Sequence, residues 1–299
     1  MPRCLIDADI LAYECSFAGQ FKDERTGEVV MKDFDYVVDQ LHQKIKEIKE
    51  ECMSDEEPLL FLTGDPVLAR HLNRRPKWLE PAEQVELLPS FRYKEAVTKE
   101  YKGNRKVDKP LHYHNTRAYM LSQFEVIVSN GLEADDELAM YLLNHPDTIL
   151  CTVDKDLRQV PGRHYSWSIG QRHSIPVYDV NEFGTMELVI SEKSKKLSAT
   201  GLMSFFAQVL MGDTVDNVQG IKGLGPVTAY EILSPCITEM ELFLATANKY
   251  RQVYPEDWAD KLREHIDLVY MIRELDDEGK PVRYKYPEGW QDLLGDDGL

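Results

Sequence analysis

Carboxylates stand at the ends of short apolar runs along this chain. Asp7 and Asp9 follow Cys4-Leu5-Ile6, Asp65 follows Leu59 to Leu62, and Asp154 and Asp156 follow Ile149 to Val153. Glu133, Asp135 and Asp136 come after Val126-Ile127-Val128, and Asp213 and Asp216 after the stretch Phe205 to Met211. Apolar runs of this length read as buried parallel strands. In open α/β sheets the crevice outside the strands' carboxyl ends is where sites assemble, so acids distant in sequence are expected to converge. Two carboxylates about 4 Å apart repel by roughly 4 kcal/mol at an effective dielectric near 20. Such a group therefore needs bound protons or divalent cations, and an all-oxygen donor set favours the hard ions Mg²⁺ and Mn²⁺.

The chain of 299 residues, 43% hydrophobic, has room for one large α/β domain or a medium domain with a small one. It contains no apolar stretch of membrane-spanning length and no signal-peptide core near its start, which predicts a soluble protein of the cytoplasm without a membrane partner. Five scattered cysteines, Cys4, Cys15, Cys52, Cys151 and Cys236, show no C-x-x-C spacing and read as reduced core thiols rather than disulfides or zinc ligands. A net charge of −17 argues at first against nucleic acid. Locally the sign reverses. From Arg92 to Lys109 seven basic residues (Arg92, Lys94, Lys99, Lys102, Arg105, Lys106, Lys109) face three acids and are interleaved with Phe91, Tyr93 and Tyr101. That pattern suits single-stranded nucleic acid, although a solvated charged helix face has the same composition.

Helical spacing at Val37, Leu41, Ile45 and Ile48 predicts an amphipathic helix over 36–52. Strands are expected at 59–63, 124–128 and 148–153, with a helix over 133–143 and peripheral strands at 175–180 and 187–190. Residues 68–111 lack a sustained apolar period and read as an insertion, helical in pieces. Lys193 to Lys196 reads as a polar linker. Strand and helix alternate, which predicts an α/β fold with a mostly parallel sheet flanked by helices. Beyond Thr200 the pattern is helical. Gly220-Ile221-Lys222-Gly223-Leu224-Gly225-Pro226 joins two helices, and its backbone N–H groups could receive a phosphate. Taken alone, such a turn is also an ordinary helix C-cap. Helices over 238–250 and 257–275 complete a small all-helical module.

Asp154 and Asp156 point to one side if the strand continues through them, while Glu133 with Asp136 and Asp213 with Asp216 have the i, i+3 spacing of one helix face. Each pair also has a structural reading. Acids at 135 and 136 suit a helix amino terminus, and Asp65-Pro66 is an ordinary turn.

The chain resembles the flap endonuclease-like 5′ nuclease family, and within it the stand-alone 5′ to 3′ exonucleases of bacteriophages. The matching pieces are Leu5-Ile6-Asp7-Ala8-Asp9, Thr63-Gly64-Asp65, Tyr101-Lys102-Gly103-Asn104-Arg105, Leu132 to Asp136, Val153 to Asp156 and Met211 to Asn217, followed by the hairpin of 220–229. The resemblance implies a PIN-like (resolvase-like) domain over 1–195 with a helical arch inserted at about 85–115, and a helix-hairpin-helix (H3TH) module with C-terminal helices over 196–299. It implies that Asp7, Asp65, Glu133 and Asp135 hold one Mg²⁺ and that Asp154, Asp156, Asp213 and Asp216 hold or orient a second, with Asp136 acting between them through water. Mn²⁺ could substitute, and a K⁺ ion would sit at the hairpin. Lys102 and Arg105, with Asp135 and Asp154, would act at the scissile phosphate. Tyr101, Lys106, Lys222, Gly223 and Gly225 would contact DNA.

The implied activity is 5′ to 3′ exonuclease and 5′ flap endonuclease cleavage by a monomer, on DNA with 5′ ends, nicks or flaps and on RNA–DNA hybrids. A phage replication or recombination role in the host cytoplasm is implied with it. One departure is Val227, where family hairpins frequently carry Lys. A PIN-like ribonuclease is the first rival, and it needs neither arch nor hairpin. A non-catalytic DNA-structure-binding protein is the second, and it would have lost some of these acids.

Overall fold

The computed structural model describes residues 1–73, 84–104, 108–191 and 194–291. In chain order the elements are β1 (Cys4–Asp7), α1 (Ala8–Ala18), β2 (Gln20–Lys22), β3 (Val29–Met31), α2 (Phe34–Glu51), β4 (Leu59–Leu62), α3 (Pro66–Leu72), α4 (Arg92–Glu95) and α5 (Tyr113–Gln123). There follow β5 (Glu125–Val128), α6 (Ala134–Asn144), β6 (Ile149–Cys151), a 3-10 turn (Asp156–Gln159), β7 (Gly162–Ser166), β8 (Ile175–Val180), β9 (Met186–Ile190) and β10 (Lys195–Ala199). The chain closes with α7 (Gly201–Met211), α8 (Pro226–Leu233), α9 (Glu239–Val253) and α10 (Trp258–Val269). Among the described residues no helix is long and apolar enough to cross a membrane.

The chain forms two compact units. Unit 1 is Met1–Ser90, Val107–Val153 and Gly162–Tyr178, and unit 2 is Phe91–Lys106, Asp154–Pro161 and Asp179–Leu299. The expected boundary near 195 falls inside unit 2, because β9 and β10 pair antiparallel across it (Lys195 opposite Ile190, Ala199 opposite Met186). Lys195 and Lys196, read as linker, are strand residues. Their charge hid a strand with an exposed face.

Unit 1 is built on a six-stranded sheet of order β5-β4-β1-β6-β7-β8. The pairs β4–β5, β1–β4, β1–β6 and β6–β7 are all parallel. Every residue of β1 and β4 is buried, which is why they read as unbroken apolar runs. Side chains alternate across the sheet. Cys4, Ile6, Leu60, Leu62 and Cys151 join one apolar cluster with Leu11 of α1 and Val37, Leu41, Ile45 and Ile48 of α2. Elsewhere in the unit Phe61 packs edge-on against Tyr141 of α6.

Unit 2 is centred on α7, almost wholly buried, with α8, α9 and α10 packed around it. The helix expected over 257–275 stops at Val269, where Tyr270 turns to extended backbone. Its final carbonyls have partners from elsewhere in the unit. Arg92 Nε donates to Leu268 O at 3.1 Å and Nη2 to Tyr270 O at 2.7 Å, and Gln159 Nε2 donates to Val269 O at 3.1 Å. Arg92, read as part of a basic face, is 1% exposed and serves as a helix stop. Within 85–115 the described residues hold only the four-residue α4, turns and the start of α5.

A planar fork serves two carbonyls where an ammonium serves them poorly. Arg92→Lys is therefore expected to destabilise the protein by about 1–3 kcal/mol, measured as a lower midpoint in urea. An unchanged midpoint would show that the fork is not what ends α10.

Candidate active site

The acids of unit 1 lie at the carboxyl ends of three adjacent parallel strands. Asp7 closes β1 and caps α1, accepting Ile10 N on Oδ1 at 3.3 Å and the Thr152 hydroxyl on Oδ2 at 2.8 Å. Asp9 Oδ2 accepts Thr63 N at 2.8 Å, beyond the end of β4. Glu133 and Asp136 form a capping box at the start of α6, with Glu133 N donating to Asp136 Oδ2 at 3.1 Å. The i, i+3 pair is thus a helix cap, and Asp136 is fully buried in that role. Asp135 follows Glu133 in the first turn of α6.

Asp65, expected as a metal ligand, has both oxygens in contact with donors of unit 1. Its Oδ1 caps α3 by accepting Val67 N at 2.9 Å and Leu68 N at 2.8 Å, while Oδ2 is paired with Arg117 Nη1. Burial pushes the Asp65 carboxyl up, but these backbone donors and the guanidinium outweigh it, and its pKa lies below the ordinary value. Arg117 also stands 3.3 Å from Asp9 Oδ1 and donates to Thr63 O. The sequence reading missed it. It lies on α5, whose buried positions Tyr113, Thr116, Arg117 and Met120 have helical spacing but are half polar, so hydropathy gives no period there.

In unit 2 four carboxylates are held by turns. The strand does not run on through Asp154 and Asp156: β6 ends at Cys151, and Asp156 N donates to Asp154 Oδ1 at 2.9 Å as the chain enters the 3-10 turn. Nor do Asp213 and Asp216 share a helix face. Gly212 ends α7 at φ 72°, and Asp213 Oδ1 accepts Val215 N at 2.6 Å and Asp216 N at 3.2 Å. The loop is closed by Asp213 N to Val218 O (2.9 Å) and Val218 N to Asp213 O (2.8 Å). At its neck a Cβ on Gly220 (φ 59°) would stand 2.2 Å from Gly212 N, so only glycine fits.

Cations and donors share this cluster. Lys155 Nζ bonds Asp213 Oδ2 at 2.7 Å and lies 3.8 Å from Asp156 Oδ1, which also accepts Gln208 Nε2. Lys102, at φ 56°, donates its backbone N–H to Asp216 O at 2.9 Å and holds Nζ 3.9 Å from Asp216 Oδ2. Tyr101 is buried in the core of unit 2, with its hydroxyl on Asp216 Oδ2 at 2.9 Å. Of the two readings of this ring, stacking or packing, its burial fits packing. Burial holds Asp154 above its ordinary pKa, assisted by Asp216 and Asp213 against the Asp156 N–H and Lys155. Burial and then Asp154 push Asp156 up to about 8. Asp213 is instead held low: burial opposes ionisation, and the Lys155 bond and charge overcome it.

Gly223 lies in the left-handed region at φ 81°, and neither it nor Gly225 has any atom within 4 Å of where a Cβ would stand, so the hairpin backbone is open. Gly225 caps α8, and Lys222, whose N–H meets the Tyr254 hydroxyl at 3.2 Å, is exposed. Arg105 and Lys106 lie outside the described residues.

No protein-family model matches the chain. In fold it is similar to the D15 protein of bacteriophage T5, co-crystallised with metal ions, at TM-score 0.51 and 16% identity over 90% of this chain and 89% of that one. It is also similar to T5 5′-exonuclease with bound zinc, at TM-score 0.50 and 16% identity over 90% of both chains. The expected α/β fold with its helical module is therefore the fold observed, and at this identity the likeness is one of fold. In sequence the chain is 27% identical over 164 residues to DNA polymerase I of Rhizobium leguminosarum, a stretch that makes up 54% of this chain and 14% of the polymerase.

In metal-free solution folded Asp156 keeps its proton up to about pH 8, whereas the unfolded chain releases it near pH 4. Stability from this group is complete below about pH 4, falls as pH rises through that window, and is gone above about 8. Asp156→Asn should flatten the fall of the urea midpoint between about pH 5 and 8. A fall as steep as in the parent protein would place the linkage elsewhere.

Proposed function

We propose that the chain is a divalent-metal-dependent 5′ nuclease that hydrolyses phosphodiester bonds in DNA from 5′ ends, nicks and flaps. The observation that carries this reading is the unit 2 carboxylate set. Asp154 and Asp156 are half-buried with raised pKa values, though Lys155 already neutralises Asp213. An all-oxygen cluster that still resists ionisation fits a hard divalent cation. Asp154, Asp156, Asp213 and Asp216 would hold one ion, and Asp7, Glu133 and Asp135 of unit 1 another, with Asp65 and Asp9 retained as anchors for Arg117. When bound, such ions supply a nucleophilic water at neutral pH and positive charge for phosphoryl oxygens.

The chain's own residues do the positioning. Lys155 and Gln208 fix the Asp213 and Asp156 carboxylates, and Tyr101 fixes Asp216. Lys102 brings a cation to the acids, where it would meet a substrate phosphate. The open N–H groups of Gly223 and Gly225 would receive a duplex phosphate. The T5 proteins named above, a 5′-exonuclease and a protein co-crystallised with metal ions, and the partial match to a DNA polymerase support the substrate class. Mg²⁺ as the working ion, Mn²⁺ as its substitute, K⁺ at the hairpin, action on RNA–DNA hybrids and a monomeric state belong to the same proposal.

Purified protein with Mg²⁺ should cut a 5′ flap and degrade a nicked duplex, and Asp154→Ala should abolish both while leaving the fold intact. Cleavage of single-stranded RNA alone would favour a ribonuclease, and full activity in Asp154→Ala would remove the metal assignment. Val227→Lys, at the second residue of α8, should add one phosphate contact. The slope of log affinity against log salt on a nicked duplex, measured without metal, should then steepen by roughly 0.9. An unchanged slope would show that the hairpin does not face DNA.

A further inference from the structure

Three of the five cysteines, expected as separate core thiols, come together in unit 1. The sulfur atoms of Cys4, Cys52 and Cys151 all lie within 4.8 Å of one another, and each residue is at most 1% exposed. The sheet register explains two of them. Cys4 pairs with Ile149 and Ile6 with Cys151, so Cys4 and Cys151 are diagonal neighbours on one face of parallel strands. Cys52 extends the buried stripe Val37, Leu41, Ile45, Ile48 by one more turn and caps α2, its N–H donating to Ile48 O at 3.0 Å. Met53 then reverses the chain in the left-handed region at φ 51°, and Ser54 N returns to Lys49 O at 2.8 Å.

The turn delivers Ser54 beside Cys4. Ser54 is 6% exposed, and its Oγ has no hydrogen-bond partner of acceptable geometry. Packing of small apolar residues accounts for three thiols but not for an unpartnered hydroxyl placed against them. The Cys52–Cys151 sulfur separation of 3.7 Å is far beyond a disulfide bond. It matches the roughly 3.8 Å between sulfurs that each lie about 2.3 Å from one tetrahedral zinc ion.

We infer that Cys4, Cys52 and Cys151, with the Ser54 hydroxyl as oxygen donor, form a binding site for one thiophilic d¹⁰ cation of the Zn²⁺ or Cd²⁺ class. Each thiol that ligates gives its proton to solvent, so binding releases protons and tightens as pH rises. Ser54, alone among the four proposed donors, also lines an open cleft of about 550 Å³ with His42, Lys49, Met53, Asp55 and Phe124. Sulfur donors separate this site from the carboxylate groups, which favour hard ions.

The test is a Cd²⁺ titration of the reduced, metal-free full chain in excess Mg²⁺, so that the carboxylates are occupied. A sulfur-to-cadmium charge-transfer band saturating at one equivalent, with proton release, is expected. Cys151→Ala should abolish it, Cys15→Ala and Cys236→Ala should leave it unchanged, and Ser54→Ala should weaken affinity about tenfold. No band in the parent protein, or an undiminished band in Cys151→Ala, overturns the site. If Cys151→Ala does not fold, X-ray absorption on the parent protein's cadmium complex decides: a shell of three sulfurs supports the site and fewer overturns it.

Discussion

Like charge concentrated at the ends of buried segments is the constraint that the rest of this structure answers. The carboxylates stay where they are because backbone N–H groups hold them. Asp7, Asp65 and Glu133 cap the helices that follow β1, β4 and β5, and Asp154 and Asp213 each accept N–H groups from the turn they begin. A capping carboxylate is stabilised by the helix terminus and by its charge-assisted bonds. The same contacts fix the direction of its remaining lone pairs. Folding and site construction thus draw on one set of interactions, and acids that would scatter in a flexible loop are instead held by the first turn of an element.

The two units meet the repulsion differently. Unit 1 buries a guanidinium: Arg117, only 2% exposed, spans Asp9 and Asp65 and holds the latter's pKa low. A buried arginine that lost either partner would be left uncompensated, so the pairing constrains α5 as firmly as it constrains the acids. Unit 2 uses Lys155 on Asp213 and leaves Asp154 and Asp156 raised. Within four acids the shifts run in opposite directions, which localises the unmet demand for positive charge. It falls on the two residues that follow the central strand β6.

What the sequence makes legible is periodic burial. Unbroken apolar runs at Leu5-Ile6 and Leu59 to Leu62, and the four-residue stripe of α2, led directly to the parallel sheet and its covering helix. Polar burial has no such signature. Arg92 and Tyr101 were read with an exposed basic segment, yet both are core residues whose polar atoms are committed to helix carbonyls and to Asp216. Spacing arguments at the acids failed for a related reason. They assume that a strand or helix continues, whereas Gly212 and the turn at Asp154 end those elements, and turn geometry brings the pairs together instead. The meeting of Cys4, Cys52 and Cys151 lay beyond any local pattern, because it depends on the pairing register of β1 with β6 and on where α2 stops.

Donor chemistry gives these separate devices a common logic. Oxygen clusters under mutual repulsion attract small hard ions, which retain water and tolerate incomplete cages, whereas buried sulfurs attract polarisable ions that shed water readily. The carboxylates sit at turns and helix starts, where part of each ion's shell could remain open to substrate. The thiols sit within the sheet's apolar cluster, each at most 1% exposed. A soft cation held there would tie the end of α2 to β1 and β6 and brace the central strand. β1 ends in Asp7, so its rigidity bears directly on one of the proposed ligands, and a structural ion on one face of the strand would steady the carboxylate at its tip.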